Sequence, residues 1–293
     1  MDNRDEVRAF LSSRRAKVTP EQAGLAIYGR NRRVPGLRRS EVADLAGVSV
    51  EYYAQLERGN LAGVSESVLD ALGRALHLDE AEREHLSDLA RAAGPARRAR
   101  RRPPARQVRP NLARILDGMT EVPAFVENGR LDVLAANPLA RALYAPVFAG
   151  HSLPVNLARF NFLDPHARTF WGNWDRAAAD TVAMLRTEAG RDPYDKDLAF
   201  LVGELSTRSD EFRVRWGAHD VQLHRTGLKH IRHPVAGDLH LSYEVMELPA
   251  DPGLALVAFS AEAGSPDDDA LRFLASWAAT HEPADALATP DQT

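Results

Sequence analysis

Apolar positions over the first ninety residues recur three and four apart. Val7, Phe10 and Leu11 share one face ahead of Arg14 and Arg15. Val68, Leu72, Ala75 and Leu76 fall at i, i+4, i+7 and i+8 behind Ser65. Leu86, Leu89, Ala90 and Ala93 repeat the pattern behind Asp79 and Glu82, and it stops at Gly94-Pro95. Such a period, opened by side chains that accept from free N–H groups, predicts short amphipathic helices. Thr19-Pro20-Glu21-Gln22 has the form of a capping box with proline in the first turn, weakened soon after by Gly24.

The pattern changes beyond residue 110. A helix is predicted over 111–119, and Ala124-Phe125-Val126 then leads through Asn128-Gly129 into 131–136, a hairpin signal. Asn137-Pro138 ends the strand and caps a helix carrying Leu139, Leu143 and Tyr144. Helices follow over 166–189 and 195–207, with Trp171 and Trp174 three apart on the first. Strands are then predicted over 212–216, 221–224, 228–233, 239–248 and 254–261, and a final helix over 267–280. Two strands, a run of helices and more strands predict an α+β domain with an antiparallel sheet behind an all-α domain.

Composition locates the joint between them. Residues 94–110 hold Pro95, Pro103, Pro104 and Pro110 among Arg97, Arg98, Arg100, Arg101, Arg102, Arg106 and Arg109. Prolines and repelling charges cannot build a core, so this stretch reads as an extended linker. It is either a solvated spacer or a basic arm that also touches phosphates. The expected domains are therefore 1–93 and 111–280, with a disordered tail over 281–293. Net charge sharpens the division: residues 1–110 carry 21 Lys and Arg against 15 Asp and Glu, the remainder 16 against 26. A basic front and an acidic back suggest that the front meets a polyanion. There is no cysteine, which removes disulfides, thiolate metal sites and cysteine nucleophiles. The charged N-terminus lacks a signal-peptide core, and no apolar run is long enough for a membrane span, so a cytoplasmic protein is expected.

The most informative stretch runs from Arg38 to Gly59. Val42, Ala43 and Ala46 face inward on a first helix, and the small Ala43 lets a second helix cross closely. Gly47 supplies the turn, Ser49 the N-cap, and Val48, Tyr53 and Leu56 the buried side of the second helix. Val50, Glu51, Ala54 and Gln55 are left outward near its N-terminal end, the part of a recognition helix that enters a major groove. Gln55 can pair with adenine, Val50 can meet a thymine methyl, and Glu51 can accept from cytosine. The alternative is an ordinary helix pair, but glycine, cap and core positions are all in phase over 22 residues.

This stretch, closing on Leu56-Glu57-Arg58-Gly59, resembles the lambda-repressor or XRE type of helix-turn-helix. The resemblance implies that Arg39, opening the first helix, and Arg58, after the second, lie against phosphates; Arg38 and Ser49 are further candidates for DNA contact. A wider resemblance covers nearly the whole chain. Arg32-Arg33-Val34-Pro35-Gly36-Leu37-Arg38-Arg39 looks like the MmyB-like regulators. So do Leu131-Asp132-Val133-Leu134-Ala135-Ala136-Asn137, Asn156-Leu157-Ala158-Arg159-Phe160, Ser209-Asp210-Glu211-Phe212 and His233-Pro234-Val235-Ala236-Gly237. It implies a ligand-binding domain of PAS-like fold that can hold a fatty-acid-like molecule.

Aromatic residues concentrate between 125 and 216. Phe125, Phe160, Phe162, Trp171, Trp174, Phe212 and Trp216 are candidate walls of an apolar pocket, though such residues also serve as plain core. Arg159 can pair with a ligand carboxylate or form a structural salt bridge. Asn137 reads as a helix cap rather than a ligand contact. His219, His224, His230, His233 and His240 raise a metal, but His230 and His233 fall on opposite faces of a strand and no compact ligand set accompanies them, so none is expected. No nucleophile elbow, phosphate loop or dinucleotide fingerprint is present. The expected protein is a non-enzymatic regulator that binds double-stranded DNA as a homodimer and a small apolar effector, with no other cofactor. A DNA-tethered enzyme and a protein-interaction module are the alternatives.

Overall fold

The computed structural model describes residues 3–25, 34–94, 107–218 and 225–281. The linker arginines from Arg97 to Arg106, the strand predicted over 221–224, His219, His224 and the tail beyond 281 lie outside the described residues. In chain order come helices α1 (Asn3–Lys17), α2 (Arg39–Ala46), α3 (Val50–Glu57), α4 (Glu66–Ala75), α5 (Glu80–Ala93) and α6 (Pro110–Asp117). Strands β1 (Ala124–Asn128) and β2 (Asp132–Ala136) precede α7 (Pro138–Leu143), α8 (Ala145–Phe148), β3 (Val155–Asn156), α9 (Leu157–Leu163) and α10 (Ala167–Phe170). Three helices follow: α11 (Trp174–Arg191), α12 (Lys196–Arg208) and α13 (Asp210–Gly217). The chain ends in β4 (Thr226–His233), β5 (Gly237–Glu247), β6 (Leu254–Ser260) and α14 (Pro266–His281). A helical N-terminal region precedes an antiparallel sheet with helices, an α+β architecture.

The chain divides into two compact units: Met1–Pro103 with Ala178–Leu223, and Pro104–Ala177 with His224–Thr293. In the first unit, Phe10, Leu11, Leu37, Tyr53, Leu56, Leu72 and Leu86 form the core. Its helices start on side-chain caps: Ser65 accepts from Val68 N, and Asp79 and Glu82 cap reciprocally at 2.9 and 3.1 Å. Such caps satisfy N–H groups that have no partner within the helix. Thr19 and Gln22 also exchange their two capping bonds, but the segment stays a turn, with Gly24 at φ +71°.

Arg186 of α11 explains why the later helices belong here. Its side chain is fully buried, pairs with Glu6 of α1, donates to the carbonyl of Trp216 on α13, and lies 4.1 Å over the Trp216 ring. The strand predicted over 212–216 is this helix α13. Its β-favouring side chains are overruled by local polar groups: Ser209 accepts from Phe212 N at 3.2 Å, and Arg215 pairs with Glu211 one turn away.

The second unit is built on a six-stranded antiparallel sheet of order β3-β2-β1-β6-β5-β4. One face carries a core that includes Phe125, Tyr144, Phe170, Trp171, Ile231, Leu239 and Phe259, with Leu271 and Leu274 of α14. The opposite side of β1 packs Ala124 and Val126 with Leu112, Leu116 and Leu254. The β1–β2 hairpin forms, but its left-handed residue is Leu131 (φ +63°) rather than Gly129, and the register shifts between Val126 and Glu127. A three-residue loop ending in a left-handed residue has this form. Asn128 holds it by accepting from Arg130 N and Asp132 N.

The helix predicted over 166–189 is broken. After α10, Trp171 leaves helical geometry to bridge Ile231, and Gly172 N donates to His230 O at 2.9 Å. A Cβ at residue 172 would lie 1.9 Å from the His230 ring, so only glycine permits the approach. Trp171 and Trp174 therefore do not share a helix.

Candidate DNA interface and effector site

Gly47, at φ +66°, closes α2, and Ser49 opens α3 by accepting from Tyr52 N at 3.1 Å. Val42, Ala43, Ala46, Tyr53 and Leu56 are buried between the helices, as the spacing requires. Val50, Glu51 and Gln55 are exposed and Ala54 is half-buried, so the first turn and a half of α3 offers one apolar, one accepting and one amide side chain outward. Tyr52, which sequence reasoning left out, is exposed beside them. Arg38 and Arg58 are also exposed.

Arg39 has a more specific setting than the sequence suggested. Its Nε donates to Glu57 Oε2 at 2.6 Å, while Arg15 Nη2 donates to Glu57 Oε1 at 2.7 Å. Glu57 is buried at the end of α3, and its carboxylate raises the Arg39 pKa by hydrogen bonding and charge. The Arg39 side chain stays 57% exposed, so this pairing fixes one edge of the guanidinium and leaves the rest toward solvent. Arg15 also donates to Leu37 O at 2.9 Å, and Leu37 N returns a bond to Arg15 O. A Cβ at residue 36 would lie 2.5 Å from Arg15 O, which accounts for the glycine in Pro35-Gly36-Leu37. Glu41 bonds Arg38 N at 2.6 Å and so starts α2. The acidic partners of the arginines were the missed residues. Glu57 could have been suspected only from its place one turn beyond Tyr53 in a basic region.

In the sheet unit, Phe125, Phe160 and Trp171 come together in the main core, and Phe162 and Trp174 meet at 6.0 Å beside it. Trp174 donates to Asn161 O, Trp171 donates to Asn161 Oδ1, and the Arg168 guanidinium lies 3.9 Å over the Trp174 ring. Arg159 is half-buried on α9, where Asn156 caps its backbone N–H at 2.9 Å. Phe212 and Trp216 stack on each other at 5.5 Å within the helical unit. Asn137 is fully buried and caps α7 by accepting from Ala140 N at 2.8 Å.

Two buried polar side chains on the core face were missed. Glu127 lies two residues after Phe125 on β1, and Tyr144 packs edge-on to Phe125 at 5.6 Å. Glu127 is 8% exposed and Tyr144 3%. Burial pushes the Glu127 carboxyl up to about 8; Lys229 opposes the shift and Asp132 adds to it. Burial likewise raises the Tyr144 phenol, and the Glu127 charge reinforces it. The Lys229 ammonium lies 5.1 Å over Tyr243 and 5.9 Å over Trp171.

The histidines have other partners. His230 stacks on His240 at 4.2 Å, and its Nε2 lies 3.2 Å from Asp238. His233 has Nε2 2.9 Å from Ala142 O, while Nδ1 accepts from Val235 N and Ala236 N; burial lowers its pKa, so it acts as a neutral clasp on α7. Among the described residues no group of three or more potential ligands could hold a metal ion, and no helix is long and apolar enough to cross a membrane.

Residues 108–274 match the MmyB-like transcription regulator ligand binding domain, and residues 8–86 match a helix-turn-helix domain. No curated protein gives a significant match.

Proposed function

Because the chain belongs to the MmyB-like transcription regulators, whose ligand-binding domain matches more than half of its length, we propose that it reads an operator through α3 and senses a fatty-acid-like effector. A helix-turn-helix ahead of a ligand-binding domain makes it a DNA-binding transcription regulator. The observation that carries the finer reading is the outward row Val50, Glu51 and Gln55 on α3, set over the buried Val42, Ala43, Tyr53 and Leu56. Side chains near a recognition-helix N-terminus are the ones that reach base edges, while Arg38, Arg39 and Arg58 flank them for phosphates. A single such domain reads a short site, so the protein acts as a homodimer on two half-sites about 34 Å apart. It works in the cytoplasm and catalyses no reaction.

The antiparallel sheet with helices on its core face supports a PAS-like reading of the sensory unit. The aromatic side chains gathered in its core support an acyl chain as guest. Selection of bound DNA from a random pool, with full-length protein and with or without added decanoic acid or methyl decanoate, tests the function. One enriched motif with two half-sites, and a changed affinity when acyl compound is added, is the expected result. Enrichment of no sequence would refute the operator reading.

A further inference from the structure

We infer that Glu57 is a positioning residue for DNA binding: its buried carboxylate grips the Nε side of Arg39 and aims the two Nη groups at a backbone phosphate. The inference rests on the reading of Arg39 as a phosphate contact and adds what holds it in place.

One carboxylate here serves arginines from two different helices. Glu57, at the end of α3, is only 2% exposed. Arg15 of α1 donates to its Oε1 from Nε at 3.2 Å and Nη2 at 2.7 Å, and from Nη1 to Leu37 O at 2.9 Å. Every nitrogen of that guanidinium is engaged within the chain, and its side chain is 15% exposed. Arg39, the first residue of α2, gives Glu57 Oε2 its Nε, at 2.6 Å, and stays 57% exposed. Among the described residues its Nη groups have no other partner.

Arg15 therefore fixes the carboxylate, and the carboxylate fixes Arg39. A guanidinium held at Nε presents its Nη pair as a planar fork, the geometry that matches two phosphate oxygens. Holding it beforehand also removes side-chain freedom that a loose surface arginine would lose on binding. The sign of the carboxylate's effect is diagnostic, because its own charge repels a phosphate. If Glu57 only neutralised Arg39, removing its charge would tighten DNA binding. If it positions Arg39, the same change loosens it.

Fluorescence anisotropy of the full-length protein over a salt series, on the selected operator and a scrambled duplex of equal length, tests this. Glu57→Gln should bind both duplexes about tenfold more weakly. Arg39→Gln should do the same and flatten the slope of log K against log salt by about one. The double variant should bind no more weakly than Arg39→Gln, because Glu57 acts through Arg39. Arg39→Lys keeps the charge and leaves Glu57 intact, but an ammonium cannot span carboxylate and phosphate as a fork does. It should lose affinity on both duplexes, and its result stands even if Glu57→Gln folds poorly. Tighter or unchanged binding by Glu57→Gln, equal losses from it with Arg39 present or replaced, or wild-type binding by Arg39→Lys overturns the assignment. An unaltered salt slope in Arg39→Gln overturns the phosphate contact and the inference with it. Neither result touches base reading by α3, which fails separately if Gln55→Ala weakens both duplexes equally.

Discussion

The helical unit pairs two deeply buried acids with arginines, whereas the sheet unit pairs Asp251 with Arg109 but, among the described residues, forms no ion pair at Glu127. In the helical unit, Glu6 is matched by Arg186, and Glu57 by Arg15 and Arg39, so both carboxylates meet a guanidinium. In the sheet unit, Glu127 is also buried, at 8% exposed; among the described residues its carboxyl has no hydrogen-bond partner, and burial raises its pKa. A paired buried charge fixes how elements sit against each other, and removing one partner is costly.

The comparison breaks most visibly at Glu6. Glu6→Gln leaves Arg186 buried without its full counter-charge and should lower unfolding free energy by about 3–5 kcal/mol in urea titration. Replacing both residues by leucine should cost less than that single change. Glu127 should behave in the reverse sense. Its folded-state pKa lies above the ordinary value of 4.5, so the folded chain holds a proton that the unfolded chain has released. Its contribution is therefore fully present below pH 4.5 and is lost as pH rises toward about 8, at up to about 1.4 kcal/mol per pH unit. Glu127→Gln should flatten this slope and raise the melting temperature at pH 8. A slope unchanged by the substitution would count against a neutral buried carboxyl. Glu57→Gln should cost about 1.5–3 kcal/mol through its two charge-assisted bonds. It should also weaken DNA binding by freeing Arg39, with an anisotropy titration against operator DNA as the readout.

Much of the helical unit is legible in sequence because its determinants are local. Gly47, Ser49 and the spacing of Val42, Ala43, Tyr53 and Leu56 lie within one short stretch, and Asn137 announces the cap on α7 in the same way. Long-range pairings are not legible. Nothing near Arg186 points to Glu6, and without that pair the helices α11 to α13 read as part of the sheet domain that surrounds them in sequence. Phe212, Val214 and Trp216 favour a strand by their side chains, while the Ser209 cap and the Glu211–Arg215 pair decide for a helix. Trp171 and Trp174 looked like one helical face until Gly172 met His230. Glu127 was invisible because alternation in β1 offers no reason to expect a carboxyl on the core face.

The central claim is that α3 reads bases. Fluorescence anisotropy at one fixed salt concentration, with the selected operator and a scrambled duplex, compares wild type with Gln55→Ala and Val50→Ala. Each substitution should weaken operator binding by about 1–3 kcal/mol and leave the scrambled duplex nearly unaffected. Equal losses on both duplexes would contradict base reading by these side chains.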